Sequence, residues 1–160
     1  MSANREKFVQ ALKTLHEYLD SPIRESRDAA GILLGFEFAF ELGWRAVQDD
    51  IAAKGYSQRG PRPSLQAGLE AGLIPVDDAE IWAEMVESRN LVAHAYRPEW
   101  AIALVEKIRS QFLPALERLK QKLSDQAGDA VDSVVTQYGG DDRSGQVRVF
   151  KLRIFPQKFA

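Results

Sequence analysis

The segment SRDAAGILLGFEFAFELGWRAVQDDIAAKG, residues 26–55, decides the fold class of this chain. Its apolar residues recur at steps of three and four, which places them on one side of an α-helix. They are Ala29, Leu33, Phe36, Phe40, Trp44, Val47 and Ile51. Gly55 is a natural C-terminal cap. The segment therefore predicts a helix from about Ser26 to Lys54, roughly 40 Å long at 1.5 Å per residue.

Apolar stripes of the same kind lie on both sides of this segment. A first helix is predicted over about residues 4–19, ended by Ser21-Pro22. Its stripe consists of Phe8, Leu12, Leu15 and Leu19. A last helix is predicted to begin at Pro98 and to be kinked at Pro114, because proline removes one backbone hydrogen bond. Its buried positions are Ala101, Val105, Ile108, Phe112, Leu116, Leu119 and Leu123.

Two further helices are predicted between these long ones. Residues 56–63 contain two prolines and read as a loop, after which Ser64 is expected to cap a short helix that stops near Gly72. Asp77 is expected to cap a fourth helix, with Glu80 completing a capping box. The mostly apolar stripe of this helix is Ile81, Met85, Ser88, Val92 and Ala95.

Taken together, the stripes predict an all-α domain over residues 1–124, an antiparallel up-and-down bundle of four to five helices. Residues 125–160 form a C-terminal extension of different character. It opens with a linker-like run at residues 125–128, and β-branched runs at Val131–Tyr138 and Phe150–Ile154 predict strands that pair as a hairpin.

Composition limits the classes of function. The chain has no cysteine, which excludes disulfides, thiolate metal sites and cysteine nucleophiles. It shows neither a signal-peptide pattern nor an apolar stretch of bilayer length, so we expect a cytoplasmic protein. The net charge of −2 is unevenly distributed along the chain. Residues 143–160 contain five Lys/Arg and no Asp/Glu, whereas residues 1–142 carry a net charge of −7. An acidic body does not capture RNA by general electrostatics, so RNA binding must be local, assisted by the tail or helped by a partner.

A group of polar residues lies late in the fourth predicted helix, in the run Arg89-Asn90-Leu91-Val92-Ala93-His94-Ala95-Tyr96. Its members that can hold or process a phosphate are Arg89, Asn90, His94 and Tyr96. Four such residues within eight positions favour a functional site. The alternative is an ordinary solvated face, on which Arg89 pairs with Glu84 or Glu87.

The spacing of this group limits what one chain can do. At about 100° per residue, Asn90 and His94 share one helix face with Glu87. Trp82, Arg89, Ala93 and Tyr96 share the neighbouring face. Because Arg89 and His94 lie about 140° apart on an ideal helix, one chain does not easily bring both to one substrate.

Two segments of the chain resemble a known family. Arg89-x4-His94-x-Tyr96 matches the Arg-x(4 to 6)-His motif, in its extended His-x-Tyr form, of the HEPN superfamily of small helical proteins. The run Gly35–Arg45 resembles that superfamily's RFE-x-x-x-E-x-x-W-K helix. It departs from the pattern at Gly35, where Arg is frequent, and at Arg45, where Lys is usual.

A third segment resembles one branch of that superfamily. Gly72-Leu73-Ile74, followed by Trp82 and Met85, is similar to the branch named nucleotidyltransferase substrate-binding proteins. The resemblance covers about residues 5–120. Residues 125–160 have no counterpart in it.

The resemblance implies a metal-independent ribonuclease toxin that uses Arg and His of the motif at a homodimer interface. Cleaving RNA through its own 2′-hydroxyl needs a base, an acid and positive charge on the phosphorane. A dimer would supply a second copy of each group. Within it, His94 would move protons, Arg89 would hold the phosphate and Asn90 would orient the scissile group. The resemblance also implies a minimal nucleotidyltransferase partner that silences the nuclease by attaching AMP to Tyr96, although Tyr96 as a packing residue is an alternative.

A binding subunit is the rival hypothesis. In this interpretation the chain presents substrate to a separate nucleotidyltransferase, since it lacks the Gly-Ser and Asp-x-Asp pattern such a catalyst needs. Glu37, Glu41 and Arg45, spaced by four on the long helix, are the candidate substrate- or partner-binding stripe, with an ordinary solvated face as the alternative. Neither histidine has a metal-ligand pattern around it, so we expect no metal and no cofactor.

Overall fold

A computed structural model describes the backbone of residues 2–94 and 96–132 and the side chains of residues 2–93 and 96–127. The helices are α1 (Ala3–Asp20), α2 (Ser26–Ala53), α3 (Pro61–Glu70), α4 (Ala79–Leu91), α5 (Pro98–Lys107) and α6 (Leu113–Asp132). Short 3-10 turns precede and follow α4, at Val76–Asp78 and Val92–His94. A π-helical turn, Ile108–Phe112, joins α5 to α6. The predicted all-α bundle is confirmed.

The long helix α2 is the centre of the bundle and packs against α1, α3, α5 and α6. The Phe36 ring stacks on the Phe112 ring at a centroid distance of 5.2 Å. The Phe40 ring lies 6.2 Å from the ring of Trp82. The first contact joins α2 to the π-helical turn. The second joins α2 to α4 and fixes the position of α4 against α2.

Several helix boundaries were predicted correctly for the reasons given. The first helix has nearly the predicted bounds, and Ser2, which was not singled out, caps it by accepting a hydrogen bond from the Arg5 N–H at 3.3 Å. Gly55 ends α2 with φ of +90°, a left-handed conformation that glycine adopts without steric cost. Pro98 occupies the first turn of α5. The kink at Pro114 stays a prediction, and a π-helical turn, Ile108–Phe112, lies just before this residue.

The cap predicted at Ser64 is wrong. The helix α3 begins at Pro61, after Gly60 with φ of +85°, so Ser64 is a fully buried residue inside it. Proline is favoured at the first helical position because its missing N–H has no helical partner there, and this preference places the cap at Gly60, four residues earlier than predicted.

The capping box predicted at Asp77 and Glu80 is also wrong. The residue that precedes α4 is Asp78, and its carboxylate makes no cap. Both of its oxygens instead accept hydrogen bonds from Arg118, at 2.7 Å each. This bidentate pair raises the pKa of Arg118 and ties the start of α4 to α6.

The face of α4 that points into the core includes Met85 and Ser88 of the predicted stripe, both buried, but it is turned toward Trp82. Trp82, which was expected to share a face with Arg89, is fully buried, as is Met85. Ile81, by contrast, is only partly buried. The Trp82 ring packs close to Phe40, and this contact determines the orientation of α4.

The last helix of the bundle extends further along the chain than expected. The last helix does not stop at Ser124 but continues to Asp132, so residues 125–128 are helical and not a linker. The predicted hairpin lies, from residue 133 onward, outside the described residues. The division of the chain at residue 124 therefore stays a prediction. In the described residues, no helix combines the length and the apolar character needed to cross a bilayer.

Gly35 gives a structural reason for the departure from the family pattern at that position. A Cβ at Gly35 would lie 3.2 Å from Cδ2 of Tyr18 on α1. An arginine side chain at this position would collide with α1 at its first atoms. Glycine instead allows α1 and α2 to pack closely.

Gly68 and Gly31 form a matched pair for a test of helix packing. A Cβ at Gly68 would lie 2.7 Å from Cγ1 of Val47, whereas a Cβ at Gly31 meets no atom within 4 Å among the described residues. We expect Gly68→Ala to lower the free energy of unfolding by about 1–3 kcal/mol. Gly31→Ala is expected to raise it by about 0.5–1 kcal/mol, because alanine is favoured over glycine inside a helix. Urea denaturation measures both, and equal effects would contradict the packing of α3 on α2.

Candidate functional site

The polar group predicted from the sequence lies at the C-terminal end of α4. Arg89 is in the last turn of this helix, Asn90 is exposed, and His94 closes the 3-10 turn that follows. A 3-10 turn has about three residues per turn instead of 3.6, so the 140° angle expected between Arg89 and His94 on one α-helix does not apply. The side chain of His94 lies outside the described part of the chain.

Arg89 is held by α2. Its Nη1 donates a hydrogen bond to Oε1 of Glu41, and both side chains are 28% exposed. Its Cζ lies 5.9 Å from the centroid of the Phe40 ring. The pairing with Glu84 or Glu87 considered from the sequence is wrong, because Glu84 pairs with Lys107 and Glu87 pairs with Arg62.

Glu41 joins the two sets of candidate residues that the sequence left separate. Its Oε2 accepts a hydrogen bond from Nε1 of Trp44 at 3.0 Å and lies 3.8 Å from Nη2 of Arg45. The Arg45 guanidinium lies 5.2 Å from the centroid of the Trp44 ring. We call Glu41, Trp44, Arg45 and Arg89 the arginine network. Trp44 was predicted only as an apolar position of the long helix, and its polar role was missed.

Among the described residues, the contacts of the arginine network leave donors of Arg89 for a ligand. A guanidinium carries five N–H donors, and one of those on Arg89 is used by Glu41. Glu41 therefore holds Arg89 at a defined place without filling its hydrogen-bonding capacity. A phosphate is the ligand that planar guanidinium donors match best.

Glu37 is the other carboxylate of the predicted stripe Glu37, Glu41 and Arg45, which we call the acidic stripe, and it is not part of the arginine network. Glu37 is partly buried and forms no ion pair with any side chain of the described residues. Because Glu41 is already paired with two arginines, the stripe offers less free negative charge than its spacing alone indicates.

Tyr96 lies beyond the 3-10 turn and is 71% exposed. The guanidinium carbon of Arg97 lies 5.7 Å from the centroid of the Tyr96 ring and 5.7 Å from the Trp100 ring. Neither Arg97 nor Trp100 was singled out from the sequence. The sequence feature that could have indicated them is the pair of aromatic residues with an arginine in residues 96–100, directly after the motif.

Comparisons with known proteins give a family match, a relative and a similar solved structure. A model of the family described as "Nucleotidyltransferase substrate binding protein like" matches residues 3–125. A protein of Haemophilus influenzae named "Probable ribonuclease HepT" is 32% identical over 108 residues, which are 58% of this chain and 68% of that protein. A crystal structure of a protein from Thermus thermophilus has a TM-score of 0.62 and 25% identity, covering 74% of this chain and 97% of that one.

Proposed function

We propose that this chain, which belongs to the nucleotidyltransferase substrate binding protein-like family, is a metal-independent ribonuclease that acts as a homodimer. The observation that carries the proposal is the position of Arg89. Glu41 holds it at the end of α4, directly before the turn that carries His94. The relative named as a probable ribonuclease supports the same activity.

The reaction we propose is internal transesterification of RNA. The 2′-oxygen attacks the adjacent phosphorus and the 5′-oxygen leaves, so that a 2′,3′-cyclic phosphate and a 5′-hydroxyl are formed. His94 takes the proton of the 2′-hydroxyl, and His94 of the second copy returns one to the leaving oxygen. Arg89 binds the phosphate oxygens, whose negative charge rises in the transition state, and Asn90 orients the scissile group.

Glu41 is a positioning residue in this mechanism. Its hydrogen bond fixes the Arg89 guanidinium while the Trp44 indole N–H fixes the carboxylate in turn. A guanidinium held in place before substrate arrives loses less side-chain entropy on binding a phosphate. The second arginine of the network, Arg45, adds positive charge at the same place.

An exposed apolar stripe on α2 supports the dimer. Leu34 and Phe38 are 47% and 56% exposed. They continue, at steps of four, three and four, into Glu41 and Arg45, so all four residues lie on one face of α2. We call Leu34 and Phe38 the apolar stripe. A second copy packed on it about a two-fold axis would bring its own Arg89 and His94 beside those of the first.

We further propose that the protein is a cytoplasmic toxin whose antitoxin is a minimal nucleotidyltransferase. The partner would silence it at Tyr96. In that step the Tyr96 oxygen attacks the α-phosphorus of ATP and pyrophosphate leaves, while the phenolic proton passes to a base of the partner. The high exposure of Tyr96 supports access by such an enzyme. The attached phosphate would block the entrance to His94 with bulk and negative charge.

Incubation with the partner and ATP, followed by mass spectrometry, tests this modification. We expect the wild type to gain one AMP group, Tyr96→Phe to gain none, and Tyr56→Phe to be modified like the wild type. Tyr56 is the matched control because it is also an exposed tyrosine, 48% accessible, and lies just beyond the C-terminal end of α2. An unchanged mass of the wild type would count against the silencing proposal.

A binding subunit of a two-component nucleotidyltransferase is the second candidate function, and the family description favours it. The acidic stripe would then receive substrate or partner residues. The pairing of Glu41 with Arg89 and Arg45 weakens this candidate, because the negative charge of Glu41 is already balanced by two arginines. A cationic substrate would then have to bind mainly at Glu37.

One assay separates the two functions. Purified protein is incubated with RNA in EDTA, and the wild type is compared with the double variant Arg89→Ala/His94→Ala. We expect cleavage by the wild type alone, with cyclic-phosphate ends. If the wild type cleaves no better than the double variant, the ribonuclease proposal fails and the binding subunit is favoured.

A further inference from the structure

Three exposed planar side chains meet at the start of α5. Tyr96 and Trp100 are 71% and 44% exposed. The Arg97 guanidinium lies 5.7 Å from the centroid of each ring. We call Tyr96, Arg97 and Trp100 the stacking cluster. It begins two residues beyond His94, at the N-terminal end of α5.

We infer that the stacking cluster binds an unpaired base of single-stranded RNA next to the cleavage site. This inference rests on the proposed ribonuclease function and adds to it a base-binding site, the stacking cluster at the start of α5. Base pairs inside a helix have both faces covered by their neighbours, whereas an unpaired base can lie on an aromatic ring or a guanidinium plane.

The charge of the protein favours stacking over general attraction as the source of affinity. Residues 1–142 carry a net charge of −7, and Glu99 adds a carboxylate beside the stacking cluster. A surface of this kind does not hold the phosphate backbone at many points. Stacking of a base on an aromatic side chain is compatible with it, because the uncharged base supplies the contact.

Another exposed aromatic residue lies in a different setting. Tyr56 and Arg59 line a shallow groove of about 560 Å³ beyond the C-terminal end of α2, together with Asp49 and Gln48. That groove is separate from the end of α4, where Arg89 lies. Tyr56 therefore serves as the control for an exposed aromatic residue near an arginine that is not expected to bind RNA.

The test measures binding of a short oligoadenylate RNA to the His94→Ala protein, which retains the stacking cluster and is expected to cleave about 10²–10⁴-fold more slowly. Tryptophan fluorescence reports on the cluster, because Trp82 is 0% and Trp44 is 8% exposed, in contrast to 44% for Trp100. We expect the RNA to quench the fluorescence. Adding Trp100→Ala is expected to weaken binding about 5- to 150-fold, as measured by anisotropy of labelled RNA.

Three further variants make the test specific. Trp100→Phe, which keeps an aromatic ring, is expected to retain most of the affinity, and Tyr56→Ala all of it. Arg97→Lys keeps the charge but loses the planar group, so we expect binding to weaken. Sedimentation of each variant checks that the fold and the dimer are intact.

The outcomes distinguish this inference from the function on which it rests. If the wild type cleaves RNA but Trp100→Ala binds it as tightly as its parent, the inference is overturned while the ribonuclease stands. Unchanged binding by Arg97→Lys together with a loss in Tyr56→Ala would place the RNA elsewhere and also overturn it. If Trp100→Ala instead weakens only binding of a nucleotidyltransferase, the cluster is a protein-docking surface and the inference is overturned. If the wild type does not cleave RNA, the proposed function itself fails.

Discussion

His94→Ala is expected to lower the rate constant for RNA cleavage by about 10²–10⁴-fold, the usual contribution of a positioned acid or base. The chain has two histidines, and only His94 lies beside Arg89 in sequence. In a two-fold dimer one substitution removes both the base and the acid. The loss is therefore expected toward the upper end of that range.

His16→Ala is the matched control for this prediction. The Nε2 of His16 lies 2.9 Å from Oε1 of Glu117, so this histidine pairs α1 with α6 and takes no part in the arginine network. We expect cleavage by His16→Ala at the wild-type rate. Cleavage is followed in EDTA with a single-stranded RNA, by the appearance of cyclic-phosphate ends. A His94→Ala protein that cleaves as fast as His16→Ala would contradict the proposed mechanism.

The helices were predictable because their signals are local. Phe36, Phe40 and Trp44 repeat at the helical period, and Gly55 and Pro98 have conformational preferences that depend on few neighbours. The incorrect cap of α4 has a different origin. The cap was predicted at Asp77, but the residue before α4 is Asp78, and Arg118, 40 residues away, donates hydrogen bonds to both of its oxygens.

The residues of the candidate site could be predicted from the sequence, but the contacts between them could not. Arg89 and Glu41 were both singled out, in separate hypotheses, and they are 48 positions apart in the chain. Their contact depends on how α4 packs on α2, which is fixed by the burial of Trp82 against Phe40. No spacing rule within one helix contains that information. The resemblance of both segments to one family was the available sign that they act together.

Phe38→Glu is expected to dissociate the dimer and to abolish cleavage together with it. Phe38 is the more exposed member of the apolar stripe, at 56%. In a two-fold interface each substitution acts twice. Because only 56% of each Phe38 side chain is exposed, burial of two copies contributes about 1.5–3.5 kcal/mol, so the dissociation constant should rise at least about 10-fold. Two glutamates at the former contact would also repel each other, which raises it further.

Val9→Glu is the matched control, because it places the same charge at an exposed apolar position on α1, 41% accessible and outside the apolar stripe. Sedimentation equilibrium measures the dimer, and the cleavage assay is run across a range of protein concentrations. If activity requires two copies, cleavage by Phe38→Glu should return as its concentration is raised, in parallel with the dimer. A Phe38→Glu monomer that cleaves as fast as the wild type would show that one copy of Arg89 and His94 is sufficient. That result would make the 3-10 turn at Val92–His94, rather than a second copy, the feature that brings the two side chains together.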